Sequence, residues 1–405
     1  MIGRICAKWL LLALCFGWIG GTARIALAKP TELVMWHAYR AEERRALEAV
    51  VEQYHKTQQT IRVRLLSIPY DAYADKISAA IPRGHGPDLF IFAHDRIGDW
   101  AKNQILEPIT FWVDGPLLSR FFPKTVQMLA YGNALYGLPL AYKSLAVFYN
   151  TSLVKVPPRT TAEMISLAKS LTDASKGRFG LAYEATNFYH HAAWLHGFGG
   201  QVFSGGKVTL ASDEGIKALG FARDLQDKHK LLPAEPTSQL ISSLFNSGKV
   251  AMVLNGPWFR GEIETGVPYA VAPMPIVSET GKPAAPFLTS EAVLLSRRSK
   301  HKRLAFEVMK YLTSKASAMV RMTVGKQPVA NQACYATPEA KADPILLAFR
   351  RQLDHTVPME NTPAMRVVWA PMLNALGKIF RGQGTAKEAL DEATREVMSL
   401  LNTMK

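Results

Sequence analysis

The chain has 405 residues, 48% of them hydrophobic and 20% charged, with a formal net charge of +15. These proportions exclude a disordered or low-complexity chain, and the length exceeds what a single hydrophobic core usually organises. The Lys and Arg are dispersed, with no run interleaved with aromatics, so the surplus describes a basic surface and no nucleic-acid partner is expected.

Residues 1–28 read as a cleavable export signal. Arg4 and Lys8 precede an apolar stretch of 11 residues, Trp9 to Ile19, too short to span a bilayer comfortably. Ala26-Leu27-Ala28 then supplies a small-x-small cleavage pattern, with no stop-transfer segment after it. Leu14 before Cys15 departs from the small residue that a bacterial lipoprotein site requires. Cleavage after Ala28 removes Arg4, Lys8 and Arg24 and no acid, leaving a charge of +12. Cys334 then stands alone, so no intramolecular disulfide is expected.

From Lys29 onward the pattern predicts a strand over 32–36, an amphipathic helix over 41–56 and an alternating strand over 61–67. A helix over 71–81, stopped by Pro82 and Gly84, and a strand over 88–93 follow. Asp95 is expected to cap the next helix, which runs through Trp100. Strands and helices in alternation imply a parallel sheet with right-handed crossovers.

Pro139 assigns 138–144 to a sheet edge or a connector, and 145–149 is strand-like. Thr160 to Glu163 is a capping box that opens a helix to about Leu171. A strand over 179–183, a helix over 189–197, a Ser212-capped helix to about His229, a short helix over 241–246 and a buried strand over 250–254 come next. The remainder predicts a strand over 292–296 and helices over 302–312, 338–353, 367–379 and 385–402, the last with its own capping box.

The stretch Gly86-Pro87-Asp88 to Arg96 organises this pattern. A turn signal leads into the apolar run Leu89 to Ala93, which reads as a strand buried on both faces. Three polar side chains, His94, Asp95 and Arg96, close it. Open α/β sheets bind ligands beyond the carboxyl ends of their strands, so these three occupy the expected place for a site.

The mature chain resembles the maltose/maltodextrin-binding proteins of ABC importers, within the larger family of extracellular solute-binding proteins. The residues that carry the resemblance are Gly86-Pro87-Asp88 with Ala93-His94-Asp95-Arg96, Phe148-Tyr149-Asn150 and Asn255-Gly256-Pro257-Trp258. Asp343-Pro344 before a helix, and Pro363 with Trp369, extend it. The resemblance implies an α/β, two-lobed periplasmic-binding-protein fold. Its lobes are discontinuous, at 29–141 with 293–338 and 146–287 with 345–405, joined by hinge crossings near 142–145, 288–292 and 339–344. The ligand cleft lies between them.

It also implies a site. Asp95 and Arg96 match positions that bind sugar hydroxyls, for which a carboxylate acceptor and a guanidinium fork are suited. Trp258, Tyr189 and Trp369 match aromatic platforms, with Phe92 beside them, and His94 becomes a structural residue. Lys143 and Asn187 stand where the well-studied members carry ligand-binding Glu residues, Leu373 replaces a late Arg, and Arg40 falls near a missing Asp-Lys pair. This implies a less negative cleft in which Lys143 donates to hydroxyls, pairs with Asp95 or admits an anionic group.

The implied protein is a periplasmic monomer that binds maltose or maltodextrin and serves ABC permease and ATPase subunits, with no cofactor and no metal. Alternatives are a receptor for trehalose, an anionic sugar or another solute, and a secreted glycosidase. The glycosidase needs two carboxylates flanking the scissile bond, and Glu42 and Glu184 are the best remaining partners for Asp95, neither with a motif. His190, His191 and His196 have neither the spacing nor the company of a metal site.

Overall fold

The computed structural model describes residues 29–404, so the export signal lies outside the described residues. Two sheets organise the chain. The first begins with β1 (Thr31–His37), α1 (Ala41–Thr57), β2 (Ile61–Ser67), α2 (Tyr70–Ala80), β3 (Leu89–Ala93) and α3 (Ile97–Lys102). β1 pairs in parallel with both β2 and β3, as the alternating pattern requires. β4 (Gly137–Lys143) and β5 (Ala146–Asn150) then carry the chain from the first sheet into the second.

The second sheet is built after α4 (Thr161–Leu171), from β6 (Phe179–Ala182), α5 (Phe188–Gly197), α6 (Asp213–Asp227), α7 (Ser238–Asn246), β7 (Val250–Asn255) and β8 (Tyr269–Ala272). Its strand order is β8-β5-β7-β6, with β5 antiparallel to both neighbours. β9 (Phe287–Leu295) then returns to the first sheet, where it pairs antiparallel with β3 and β4. α8 (Lys302–Leu312) and α9 (Lys315–Thr323) follow there, and α10 (Pro344–Asp354), β10 (Val357–Pro358), α11 (Trp369–Phe380) and α12 (Ala386–Thr403) end the described chain.

The buried side chains divide accordingly. One core runs from Leu33 to Leu140 and resumes from Ala292 to Ala330, while others draw on Ala146 to Phe287 and Ala348 to Val397. Each large apolar side chain buried in them contributes about 1.5–3 kcal/mol.

Several expectations are corrected. The 338–353 helix breaks into Pro338–Lys341 and α10, because Pro344 cannot continue a helix and Asp343 caps the new one, accepting from the backbone of Ile345 and Leu346. Asp95 makes no cap bond. It lies inside a 3-10 turn, His94–Arg96, that precedes α3. Only half of the first capping box forms: Thr160 caps α4, but Glu163 Oε2 accepts from Arg159 N, at 2.7 Å. β9 begins at Phe287, five residues before the apolar pattern suggests, because Thr289, Ser290 and Glu291 disguise a strand that is buried throughout. α9 and β8 have no counterpart among the predicted elements. Pro139 does lie on an edge strand, where β4 meets β9 beside a register shift at Glu291/Ala292.

Candidate ligand-binding site

The first wall gathers at the carboxyl ends of the parallel strands. After β3 the chain tightens into the 3-10 turn, which brings Asp95 Oδ2 to 3.7 Å from Arg96 Nε, with both side chains about one third exposed (32% and 31%). Desolvation pushes the Asp95 carboxyl up to about 6, against the pull of Arg96 and Arg366. His94 is fully buried. Its Nδ1 accepts from the Ser290 N–H at 3.2 Å, which fixes the proton on Nε2, and Nε2 donates to the Met359 carbonyl at 2.7 Å.

Phe92 is not a platform. It is buried between Trp100 and Tyr73, at centroid distances of 4.9 and 5.4 Å. The exposed ring is Tyr70, which stacks over Phe92 at 6.3 Å and 3° and is 59% exposed. Tyr70 lies just past the end of β2, as Asp95 lies past β3, so the strand-end rule that selects Asp95 selects it as well.

Lys143, at the end of β4, does not pair with Asp95. Its Nζ lies 3.1 Å from Glu291 Oε1 and 3.9 Å from Glu43 Oε1. Tyr39 donates to Glu291 Oε2 at 2.7 Å, and Gln327 Nε2 to Glu43 Oε1 at 3.0 Å. Burial alone would lower the Lys143 pKa, but the two carboxylates hold it above its ordinary value. Desolvation raises Glu43, with Lys143 opposing. The expectation of a cleft depleted of acids is therefore incomplete. Glu43 and Glu291 reach the place by other routes, and Glu291, an acid inside the buried run of β9, is the signal the sequence offered. Arg40, exposed and extended, immediately precedes α1 next to Tyr39 of this network.

The second wall is aromatic. Asn187 caps α5: its Oδ1 accepts from Tyr189 N at 3.0 Å and its Nδ2 donates to Glu184 Oε2 at 3.0 Å. Its amide thus positions Tyr189, and the polar group it holds in place is Glu184. Tyr189 lies 6.1 Å from Trp258 and 6.2 Å from Phe287, and its hydroxyl is 3.4 Å from Thr289 Oγ1 on β9. Burial pushes that hydroxyl up to about 12, and the charge of Lys143 acts on it across the site. Trp258 follows β7 in a 3-10 turn, 38% exposed, with its ring laid over Gly256. Trp369 stands edge-on to Phe188 at 5.7 Å and lies 6.4 Å from Phe287. Phe287, buried against Phe188, Tyr189 and Trp369, has no signal in the local pattern, and Leu373 is 54% exposed.

Together the two walls offer flat apolar faces beside carboxylates, a guanidinium and an ammonium. Such a set suits a neutral ligand with ring faces and several hydroxyls. His190, His191 and His196 do not enter it: all three lie on α5, and His196 Nδ1 is 2.7 Å from the Ala285 carbonyl.

The family described as "Bacterial extracellular solute-binding protein" matches residues 38–319. A maltotriose-binding protein of Pyrococcus abyssi is 27% identical over 86% of this chain and 78% of its own length. A galactooligosaccharide-binding protein of Bacillus subtilis is 27% identical over 90% of this chain and 88% of its own. Among solved structures, a cyclo/maltodextrin-binding protein complexed with maltotetraose is similar with a TM-score of 0.84 and 30% identity, covering 94% of this chain and all of that one. With the two-sheet architecture, the strand-end site and a family match over most of the chain, this protein belongs to the bacterial extracellular solute-binding proteins.

Proposed function

We propose that this protein is an exported receptor that captures maltose or a maltodextrin by lobe closure and delivers it to an ABC importer. The observation that carries the reading is the aromatic wall of Tyr189, Trp258 and Trp369 around Phe287, set against Tyr70 and the Asp95–Arg96 pair. Pyranose faces stack on such rings while hydroxyls bond at their edges. Relatives named for maltotriose and maltodextrin support the sugar class, and one named as the solute-binding lipoprotein of a maltooligosaccharide ABC transporter supports permease and ATPase partners.

In this reading the lobes are 29–141 with 293–338 and 146–287 with 345–405, and they close about the crossings near 142–145, 288–292 and 339–344. The contacting side chains are Asp95, Arg96, Tyr189, Trp258, Trp369, Tyr70 and Lys143, with Arg40 at the margin. Phe92 and Asn187 support from behind. The Glu43–Lys143–Glu291 network disfavours an anionic sugar, because the cation already faces two carboxylates. The same engagement of both acids supports a receptor over a glycosidase. The compartment is the periplasm, and the protein acts as a monomer.

Titration calorimetry with maltose, maltotriose and maltotetraose tests this. Saturable heat at one site per chain is expected. Heat only with a sugar acid or sugar phosphate would overturn the ligand class, and new reducing ends from maltodextrin would overturn the receptor reading.

A further inference from the structure

The basic residues are not all dispersed. Arg297-Arg298-Ser299-Lys300-His301-Lys302-Arg303 joins β9 to α8, and every residue in it except Ser299 carries a basic side chain. Arg297 and Lys302 both bond Glu107 Oε2, at 2.6 and 2.9 Å. Arg298, Lys300 and Arg303 are exposed and make no ion pair among the described residues. Two of the cations occupy the first turn of α8, which has no acid and no side-chain cap, so the helix dipole opposes them. Local stability does not explain the run.

The same surface carries the most exposed large apolar side chain among the described residues. Phe111 is 96% exposed and Trp112 37%. Both follow Glu107 in the loop tied to the basic run. Trp112 packs on Phe306 of α8 at 5.5 Å, and Lys310 Nζ lies 5.8 Å from the Phe306 ring. The carboxylates in this area are already engaged: Glu107 with Arg297 and Lys302, Glu307 with Lys310, Asp114 with the Leu117 N–H, and Asp88 with the Ser299 hydroxyl and the Val34 N–H. Six cations thus face four carboxylates beside a fully exposed phenyl ring and a partly exposed indole.

We propose that this face, formed by Phe111, Trp112 and the 297–303 run, docks on a bilayer surface rich in anionic phospholipid. Anionic headgroups complement the unpaired cations, and an amphiphilic indole beside an exposed phenyl ring fits the interfacial depth of a membrane. A soluble acidic polypeptide would use the cations but give Phe111 no apolar phase. The face is separate from the ligand site, so a receptor docked here would search for its permease in two dimensions with its cleft unoccupied by lipid.

The test is vesicle flotation of the signal-free chain, with phosphatidylglycerol-containing or pure phosphatidylcholine vesicles at low and high salt. Binding to the anionic vesicles that fades with salt is expected. The triple variant Arg298→Glu, Lys300→Glu, Arg303→Glu should bind at least about a hundredfold more weakly. It should keep its unfolding midpoint, since acids in the first turn of α8 suit the dipole. Phe111→Ser should bind about tenfold more weakly. Either variant binding as the wild type does would overturn the proposal. So would a wild type retained by soluble polyglutamate but not by anionic vesicles, which would assign the face to an acidic protein.

Discussion

Trp258 and Lys143 are both partly exposed and sit on opposite walls, but they act differently. Trp258 is partly exposed and packs on Gly256 and Tyr189, so in the proposed site truncating it removes ligand contact and little core. Trp258→Ala should weaken sugar binding by about 1–3 kcal/mol in calorimetry, with the unfolding midpoint nearly unchanged. Unaltered affinity would remove the residue from the site. Lys143 is instead the counter-charge to two carboxylates. Lys143→Met leaves Glu43 and Glu291 facing one another, and urea denaturation should show a loss of roughly 1–3 kcal/mol, between the values for exposed and buried pairs. Adding Glu43→Gln should restore part of that loss. A strictly additive double variant would mean that the two do not interact.

The elements carry the site through their ends. Gly256, between β7 and the Trp258 turn, has ordinary backbone angles, and its role is to leave room. A methyl group there would fall 2.1 Å from a Trp258 ring carbon. Gly256→Ala should therefore displace the ring and lower sugar affinity about as much as Trp258→Ala does, which fluorescence titration would read. Wild-type affinity in that variant would show that the ring can stack from another pose. At the other end of the chain, the complete capping box of Thr385 and Glu388 starts α12. Thr385→Ala should cost about 1 kcal/mol in a denaturation midpoint and leave sugar affinity alone. A lowered affinity would instead tie α12 to the cleft. Element legibility followed the same chemistry. β3 and α8 were readable from apolar period alone, and α12 from period and cap together. β9 was obscured because its polar residues face buried partners, a tertiary circumstance.

For the whole molecule, acid is the informative variable. Burial holds His37, His94, His190 and His196 at about 4 and His191 at about 3. Each lies below the ordinary value near 6.5, so the unfolded chain takes up more protons as the pH falls. Their contribution to stability is complete above about pH 6.5 and is lost towards pH 4. Asp95, raised to about 6, runs the other way: its ionisation weakens the fold above that pH, a cost relieved by acid. Glu43, also raised by burial, acts with Asp95, and five histidines against these two carboxyls give the sign. The thermal midpoint should fall steadily between pH 6.5 and 4.5, and a flat midpoint over that range would refute the balance. His94 gives this a geometric side, because it joins the end of β3 to Ser290 of the crossing strand and to Met359 beyond α10.

The sequence by itself determined the alternating strand–helix order and the strand-end position of Asp95 and Arg96, while the aromatic residues of the opposite wall were implied by the family resemblance. Period, turn chemistry and residue type are local properties that survive without a fold. Tertiary structure decided how those residues are used. Phe92 lies beneath Tyr70, Asn187 holds a helix start, and Lys143 meets Glu43 and Glu291 instead of Asp95. Glu43 and Glu291 are separated by most of the described chain, and Phe287 joins rings from two other segments, α5 and α11. No spacing along the chain encodes such contacts, because they form only when β9 crosses back to close the first sheet.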